Sequence, residues 1–210
     1  MTVDQNNNTH QFKNVEKPQF WEEKYLEDEA LWDLKGPTPV FQDLAKQLPN
    51  GNLCIIGCGY GYDAITFAKT GFNVTVVDFA PSAIKNITKL AHIEKVKLNI
   101  LEQNIFDLLP KYKKSFDYII EQTCFCAIHP SRRQEYEKLV RGLLKIDGQL
   151  LGLWFPLDKF IDKGGPPYGT SIKELKAIFN NGWKIITEKY SDLSIPSRKK
   201  REKLITFQKQ

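Results

Sequence analysis

Apolar residues along this chain fall into short runs, each closed by glycine, proline or a stretch of mixed polarity. Runs at 52–56, 73–78, 96–100, 116–121 and 148–155 are too short for buried helices and read as buried strands. The intervals 61–70, 81–91, 131–145 and 171–179 carry helical spacing. Two further helices are expected ahead of the first strand, from Gln19 to Glu27 and from Pro37 to Leu48, with Pro37 at a start position. Apolar strands bracketed by helices point to a mostly parallel sheet covered on both faces. The last two strand candidates, 183–190 and 202–208, follow one another with no helix between, so an antiparallel edge pair is expected. Residues 1–17 are polar and Asn-rich and read as a mobile tail, leaving 18–210 as one α/β domain.

Composition narrows this only slightly. A length of 210 residues suits one domain, and 41% hydrophobic with 12% aromatic residues suits an ordinary packed core. No apolar stretch approaches the ~20 residues that span a bilayer, and residues 1–17 lack a signal-peptide apolar segment. Four cysteines fit reduced cytoplasmic thiols better than a disulfide framework. Cys124-Phe125-Cys126 has no second cluster with which to build a metal site. The net charge of +5 is compatible with anionic small molecules, and no nucleic-acid module is present.

The sharpest feature is Leu53-Cys54-Ile55-Ile56-Gly57-Cys58-Gly59-Tyr60-Gly61-Tyr62-Asp63. An apolar strand stops at three glycines on alternate positions, and a helical pattern follows. Glycine tolerates positive φ and lets a ligand lie against the backbone. Asp78, 21 residues after Gly57, ends the second apolar run, where a carboxylate can accept both hydroxyls of a ribose. An adenosine-like ligand is therefore expected. A nicotinamide-binding turn usually reads G-x-G-x-x-G; here the spacing is G-x-G-x-G, and Tyr62 and Asp63 follow. Turn, Asp78 and terminal strand pair together describe the S-adenosylmethionine (SAM) methyltransferase plan.

Several segments sharpen this into a resemblance. Phe20-Trp21-Glu22 through Trp32-Asp33, Pro37-Thr38-Pro39, the glycine turn and Phe125-Cys126-Ala127-Ile128-His129-Pro130 with Arg133 resemble the thiopurine/thiol/halide methyltransferase family. So do Phe155-Pro156-Leu157, Gly164-Gly165-Pro166-Pro167-Tyr168 and Ile195-Pro196-Ser197-Arg198-Lys199. The resemblance covers roughly 19–209 and is nearest to the plant-type halide and thiol enzymes and their bacterial relatives. It implies a Rossmann-like SAM methyltransferase fold: a mostly parallel seven-stranded sheet, an antiparallel terminal strand, and helices on both faces. It implies that Trp21, Tyr25 and Trp32, on an N-terminal lid over 18–48, close over SAM. Gly57 would meet its methionine part, Asp78 the ribose, and Asn104 and Ile105 the adenine, with Gly59 a further cofactor contact. Gln122 matches a further cofactor position. Tyr168 would face the methyl acceptor. Tyr25 stands where relatives carry tryptophan, Asn104 where aspartate is commoner, and Gln122 where plant proteins have tyrosine.

Other readings stay open on the residues alone. Trp21 and Tyr25, one helical turn apart, suit plain packing equally. Arg133 could attract an anionic acceptor or pair with Glu137, and His129 could take a proton or simply precede a helix. Arg198-Lys199-Lys200-Arg201 suits shielding of a sheet edge. Attack on a sulfonium by a thiolate or halide needs no strong general base, and none stands out. The expected reaction is methylation of a small soft nucleophile, either a thiol, hydrosulfide or halide. A bulky thiopurine-type acceptor, or less readily RNA or protein, is the alternative. A monomer is expected.

Overall fold

The structure, a computed structural model, describes residues 15–27 and 29–210. Most of the expected tail, residues 1–14, lies outside the described residues. Val15 is buried, and its carbonyl accepts the Trp21 Nε1–H at 2.8 Å.

Two helices lead in, α1 (Pro18–Leu26) and α2 (Pro39–Gln47). Alternation follows through β1 (Asn52–Ile56), α3 (Tyr62–Lys69), β2 (Asn73–Asp78), α4 (Pro81–Ile93) and β3 (Asn99–Glu102). The chain continues through α5 (Leu109–Tyr112), β4 (Phe116–Gln122), α6 (Arg133–Leu143), β5 (Leu144–Trp154), α7 (Ile172–Ile178), β6 (Trp183–Lys189) and β7 (Lys203–Lys209). The strands form one sheet in the order β3-β2-β1-β4-β5-β7-β6. Strands β1 to β5 pair in parallel, and β7 runs antiparallel to both β5 and β6.

Alternation along β1 builds a core on each face. Leu53 and Ile55 meet Phe41, Phe67 and Ile87 on one side, while Cys54 and Ile56 meet Tyr136, Leu139 and Trp154 on the other. Both faces are apolar, so the parallel strands read as unbroken hydrophobic runs. No helix among the described residues is long and apolar enough to cross a membrane.

The main departures from the sequence expectation are three boundaries and the order of the last two strands. The third strand runs Asn99–Glu102, not 96–100, because Val96 N–H bonds the Ala91 carbonyl and closes α4 with Lys95 at φ +55°. The second helix starts at Pro39 and not Pro37, with Thr38 as its N-cap. Helix α6 is shorter than 131–145 because a 3-10 turn, Pro130–Arg132, precedes it and β5 begins at Leu144. The final pair does close the sheet, yet the last strand in sequence is the inner one: β7 is mostly buried and β6 forms the edge.

Candidate active site

The strand order reverses at β1, with β2 on one side and β4 on the other, so the carboxyl ends of β1 and β4 open into a crevice. A cavity of about 740 Å³ lies there. All the cofactor residues expected from the sequence line it except Gln122: Trp21, Tyr25, Trp32, Gly57, Gly59, Asp78, Asn104 and Ile105.

Its floor is the glycine turn. Gly57, Gly59 and Gly61 have φ of +62°, +56° and +81°, the left-handed region that suits glycine. Their bare Cα atoms serve different ends. A Cβ on Gly57 would sit 3.0 Å from Cys124 Sγ, whereas one on Gly61 would sit 2.0 Å from Ile87 Cδ1, inside the α3–α4 contact. The third glycine thus does its packing work two residues after the second, which is why the wider nicotinamide spacing is not needed. Asp78 is buried at the end of β2; its Oδ2 accepts the Gly59 N–H and its Oδ1 the Ala80 N–H, each at 3.0 Å. Each oxygen keeps a second lone pair for a ligand hydroxyl. Burial raises its pKa and these backbone donors pull it back. Asn104 Oδ1 accepts the Phe106 N–H at 3.1 Å, which leaves its NH₂ for a ligand.

Aromatic rings form the wall opposite. Trp21 meets Trp32 edge-on at 5.5 Å; Tyr25 meets Trp32 and Tyr60, each at 5.3 Å. Burial, then the charge of Asp78, drives the Tyr25 phenol far upward, so it is neutral. Helix α1 is fastened by Glu22, whose carboxylate accepts the Ser82 N–H at 2.8 Å and its hydroxyl at 2.7 Å at the start of α4. Cys124 and Cys126 also line the cavity, and burial raises both thiols, Cys126 to about 12. They stay protonated and present neutral walls.

The two residues expected to act on the acceptor lie elsewhere. Tyr168 does not line the cavity; it is buried, edge-on to His129 at 5.4 Å, while Pro166 and Pro167 of its turn take the cavity face. Arg133 is 2% exposed, does not line the cavity and does not pair with Glu137. It bonds Glu174 at 2.6 Å and the Gly169 carbonyl at 3.0 Å, with its guanidinium over the Phe125 ring. Glu137 is instead taken by Arg141 and Trp183. His129 accepts the Ser131 N–H at 3.3 Å and so caps the turn before α6.

A cation of the cavity wall that sequence reasoning placed elsewhere is Arg198. The basic cluster does not shield an edge, because β7 is internal and the turns before it bring Ser197, Arg198 and Arg201 to the cavity wall. Arg198 Nη2 donates to the Trp32 carbonyl at 3.1 Å, and the guanidinium lies 5.1 Å from the Phe155 ring. The nearest carboxylate ion pair is Glu202 at 3.8 Å, beyond hydrogen-bond reach. By contrast Arg132 pairs with Glu135 and Glu16, and Arg201 with Asp158. The signal was present in the Ile195-Pro196-Ser197-Arg198 segment.

Sheet order, glycine turn, buried ribose-type carboxylate and aromatic wall define a SAM-dependent methyltransferase. A family model described as thiopurine S-methyltransferase matches residues 16–210. The chain belongs to that family. Among its relatives, "Probable thiol methyltransferase 2" of Arabidopsis thaliana is 34% identical over 194 residues, covering 90% of this chain and 84% of the relative. "Thiocyanate methyltransferase 1" of the same plant is 30% identical with the same coverage. A solved neighbour is the Burkholderia thailandensis 1,6-didemethyltoxoflavin-N1-methyltransferase with bound S-adenosylhomocysteine. It is 18% identical, has a TM-score of 0.73, and covers 95% of this chain and 89% of that one. It shares the fold.

Proposed function

We propose that the protein transfers the methyl group of SAM to a small, soft, anionic nucleophile such as hydrosulfide, a small thiolate, thiocyanate or a halide. The observation that carries this is Arg198, a buried cation on the cavity wall whose hydrogen bonds lead to neutral oxygens and whose partner carboxylate, Glu202, stands off at 3.8 Å. A guanidinium in that state attracts an anion. The named activities of the plant thiol and thiocyanate relatives point the same way.

SAM fits the cavity. Gly57 and Gly59 leave room along the backbone for its methionine part, Asp78 has lone pairs for the ribose, and Asn104 with Ile105 borders the adenine end. When bound, SAM supplies a methyl group activated by a sulfonium. Trp21, Tyr25 and Trp32 exclude water from the reaction, and Arg198 orients the acceptor. In-line alignment alone can remove several kcal/mol from the barrier. A thiolate or halide arrives without a proton to lose, so His129 is left to its capping role and no base is required. Tyr168 and Arg133 act through the Gly164–Thr170 turn, which they hold against Cys126 and Glu174. The same reading makes the protein a monomer acting on small molecules in the cytoplasm, with no nucleic-acid partner. Four free cysteines suit that compartment.

Headspace gas chromatography with SAM and, separately, hydrosulfide, methanethiol, thiocyanate, iodide and a bulky aromatic thiol tests this. Small methylated volatiles are expected. Product from the bulky thiol alone would replace the reading with a thiopurine-type one.

A further inference from the structure

Gln122 is the last residue of β4 and one of the expected cofactor residues, yet it borders a small crevice behind the glycine turn and not the main cavity. What surrounds it there is a closed polar set. Asp63, in the first turn of α3, accepts the Thr38 N–H at 2.7 Å and the Thr38 hydroxyl at 2.9 Å. With the Gln122 amide turned so that donors face acceptors, its Nε2 donates to Asp63 Oδ2 at 3.2 Å and its Oε1 accepts from Arg198 Nη1 at 3.3 Å. Thr38 Oγ1 stands 2.9 Å from the amide. The amide therefore lies between a half-buried carboxylate and the guanidinium that lines the cavity.

We propose that Gln122 is a positioning residue for the acceptor: it carries the fixed orientation of Asp63 and Thr38 across to Arg198, and so determines where an anion sits in the cavity. This rests on the reading that Arg198 receives the acceptor. An amide suits the task because it donates at one end and accepts at the other. Nη1 is held by Gln122 and Nη2 by the Trp32 carbonyl, so the planar fork has two anchors, both neutral. A carboxylate at 122 would hold the guanidinium equally well, but it would cancel its charge and would stand against Asp63. A neutral relay fixes direction without adding a second carboxylate to Glu202, which already stands 3.8 Å from Nη1. That is preorganisation of a charged group toward an anion.

The relay also links two ends of the molecule. Thr38 precedes α2, Asp63 opens α3 behind the glycine turn, and Arg198 belongs to the segment before β7 that lines the cavity. A shift of the Trp32 segment thus bears on the same guanidinium that Gln122 holds.

The test is steady-state kinetics with hydrosulfide in mildly alkaline buffer, with SAM affinity measured separately by calorimetry. The variants are Arg198→Met, Gln122→Met, Gln122→Glu, Thr38→Val and the Arg198→Met/Gln122→Met pair. Gln122→Met should raise the acceptor KM about tenfold while SAM affinity stays within about twofold. Gln122→Glu should be worse than Gln122→Met, and Thr38→Val, which keeps shape but loses the hydroxyl, should move KM the same way by less. The double variant should be no worse than Arg198→Met alone, because Gln122 acts through that arginine. Weaker SAM binding with unchanged acceptor KM in the Gln122 variants would overturn the proposal and make Gln122 a cofactor contact. Additive losses in the double variant would overturn it too. If Arg198→Met itself leaves KM unchanged, the acceptor reading of Arg198 falls with it; if only the Gln122 and Thr38 variants are silent, the relay alone falls.

Discussion

Asp78 accepts the backbone N–H of Gly59 at 3.0 Å, so the carboxylate that ends β2 also holds the turn that follows β1. Cavity lining and scaffold are therefore one unit, and Gly59 and Gly61 should respond differently to the same substitution. Gly59→Ala adds a methyl that would lie no closer than 3.5 Å to Tyr25 Oη, and should cost only the left-handed strain of about 1 kcal/mol. Gly61→Ala meets Ile87 at 2.0 Å as well, and should cost about 3 kcal/mol once overpacking is added. Urea unfolding of the two variants checks this; equal losses would contradict the packing role assigned to Gly61.

Glu22 joins the aromatic wall to the start of α4. Glu22→Ala removes two hydrogen bonds to Ser82, and the lost cap should cost about 1 kcal/mol. Because α1 carries Trp21 and Tyr25, SAM affinity should fall roughly fivefold through a smaller closed population. Calorimetry giving unchanged affinity would mean that the wall closes without this latch.

Arg133 should behave as a staple. Its replacement by Met strands Glu174 and the Gly169 carbonyl, and the expected loss is about 2–3 kcal/mol, discounted because Glu174 is 27% exposed. SAM affinity should stay unchanged. Intact stability with a raised acceptor KM would instead restore the anion-attracting role that the sequence left open.

Glu121 is buried under the crevice. Its Oε1 accepts the Cys124 and Phe125 N–H groups and its Oε2 the Tyr136 hydroxyl. Burial raises its pKa from 4.5 to about 7. The folded state then holds the proton more tightly than the unfolded chain, so the contribution is fully present below the unfolded pKa and is lost as pH rises toward 7. Relative to wild type, Glu121→Gln should therefore gain stability between pH ~5 and ~7.5, read from urea midpoints. A constant difference across that window would contradict the shift.

Much of this was legible before any coordinates. The glycine turn and Asp78 were, because alternate glycines after a pure apolar run leave few other readings. The inner place of β7 was not read, although the composition carries it: Leu204, Ile205 and Phe207 are apolar, whereas β6 carries Lys184, Glu188 and Lys189. The third strand misled because Val96 and Leu98 pack on the core from the end of α4, which mimics a strand pattern. The arginines could not be told apart, since Arg133 and Arg198 differ only in what distant loops bring to them. Periodicity along one element carries no such information. Tyr168 was legible as part of the Gly-Pro turn, but its inward direction is set by contact with His129.

The central claim is a SAM cavity that selects a small anion. Its most direct test gives purified protein limiting SAM together with equal concentrations of hydrosulfide and a bulky aromatic thiol, and reads how the methyl group divides between the products. Methanethiol should be the dominant product, with that dominance lost in Arg198→Met. Methylated aromatic thiol in excess, unaffected by Arg198→Met, would contradict it.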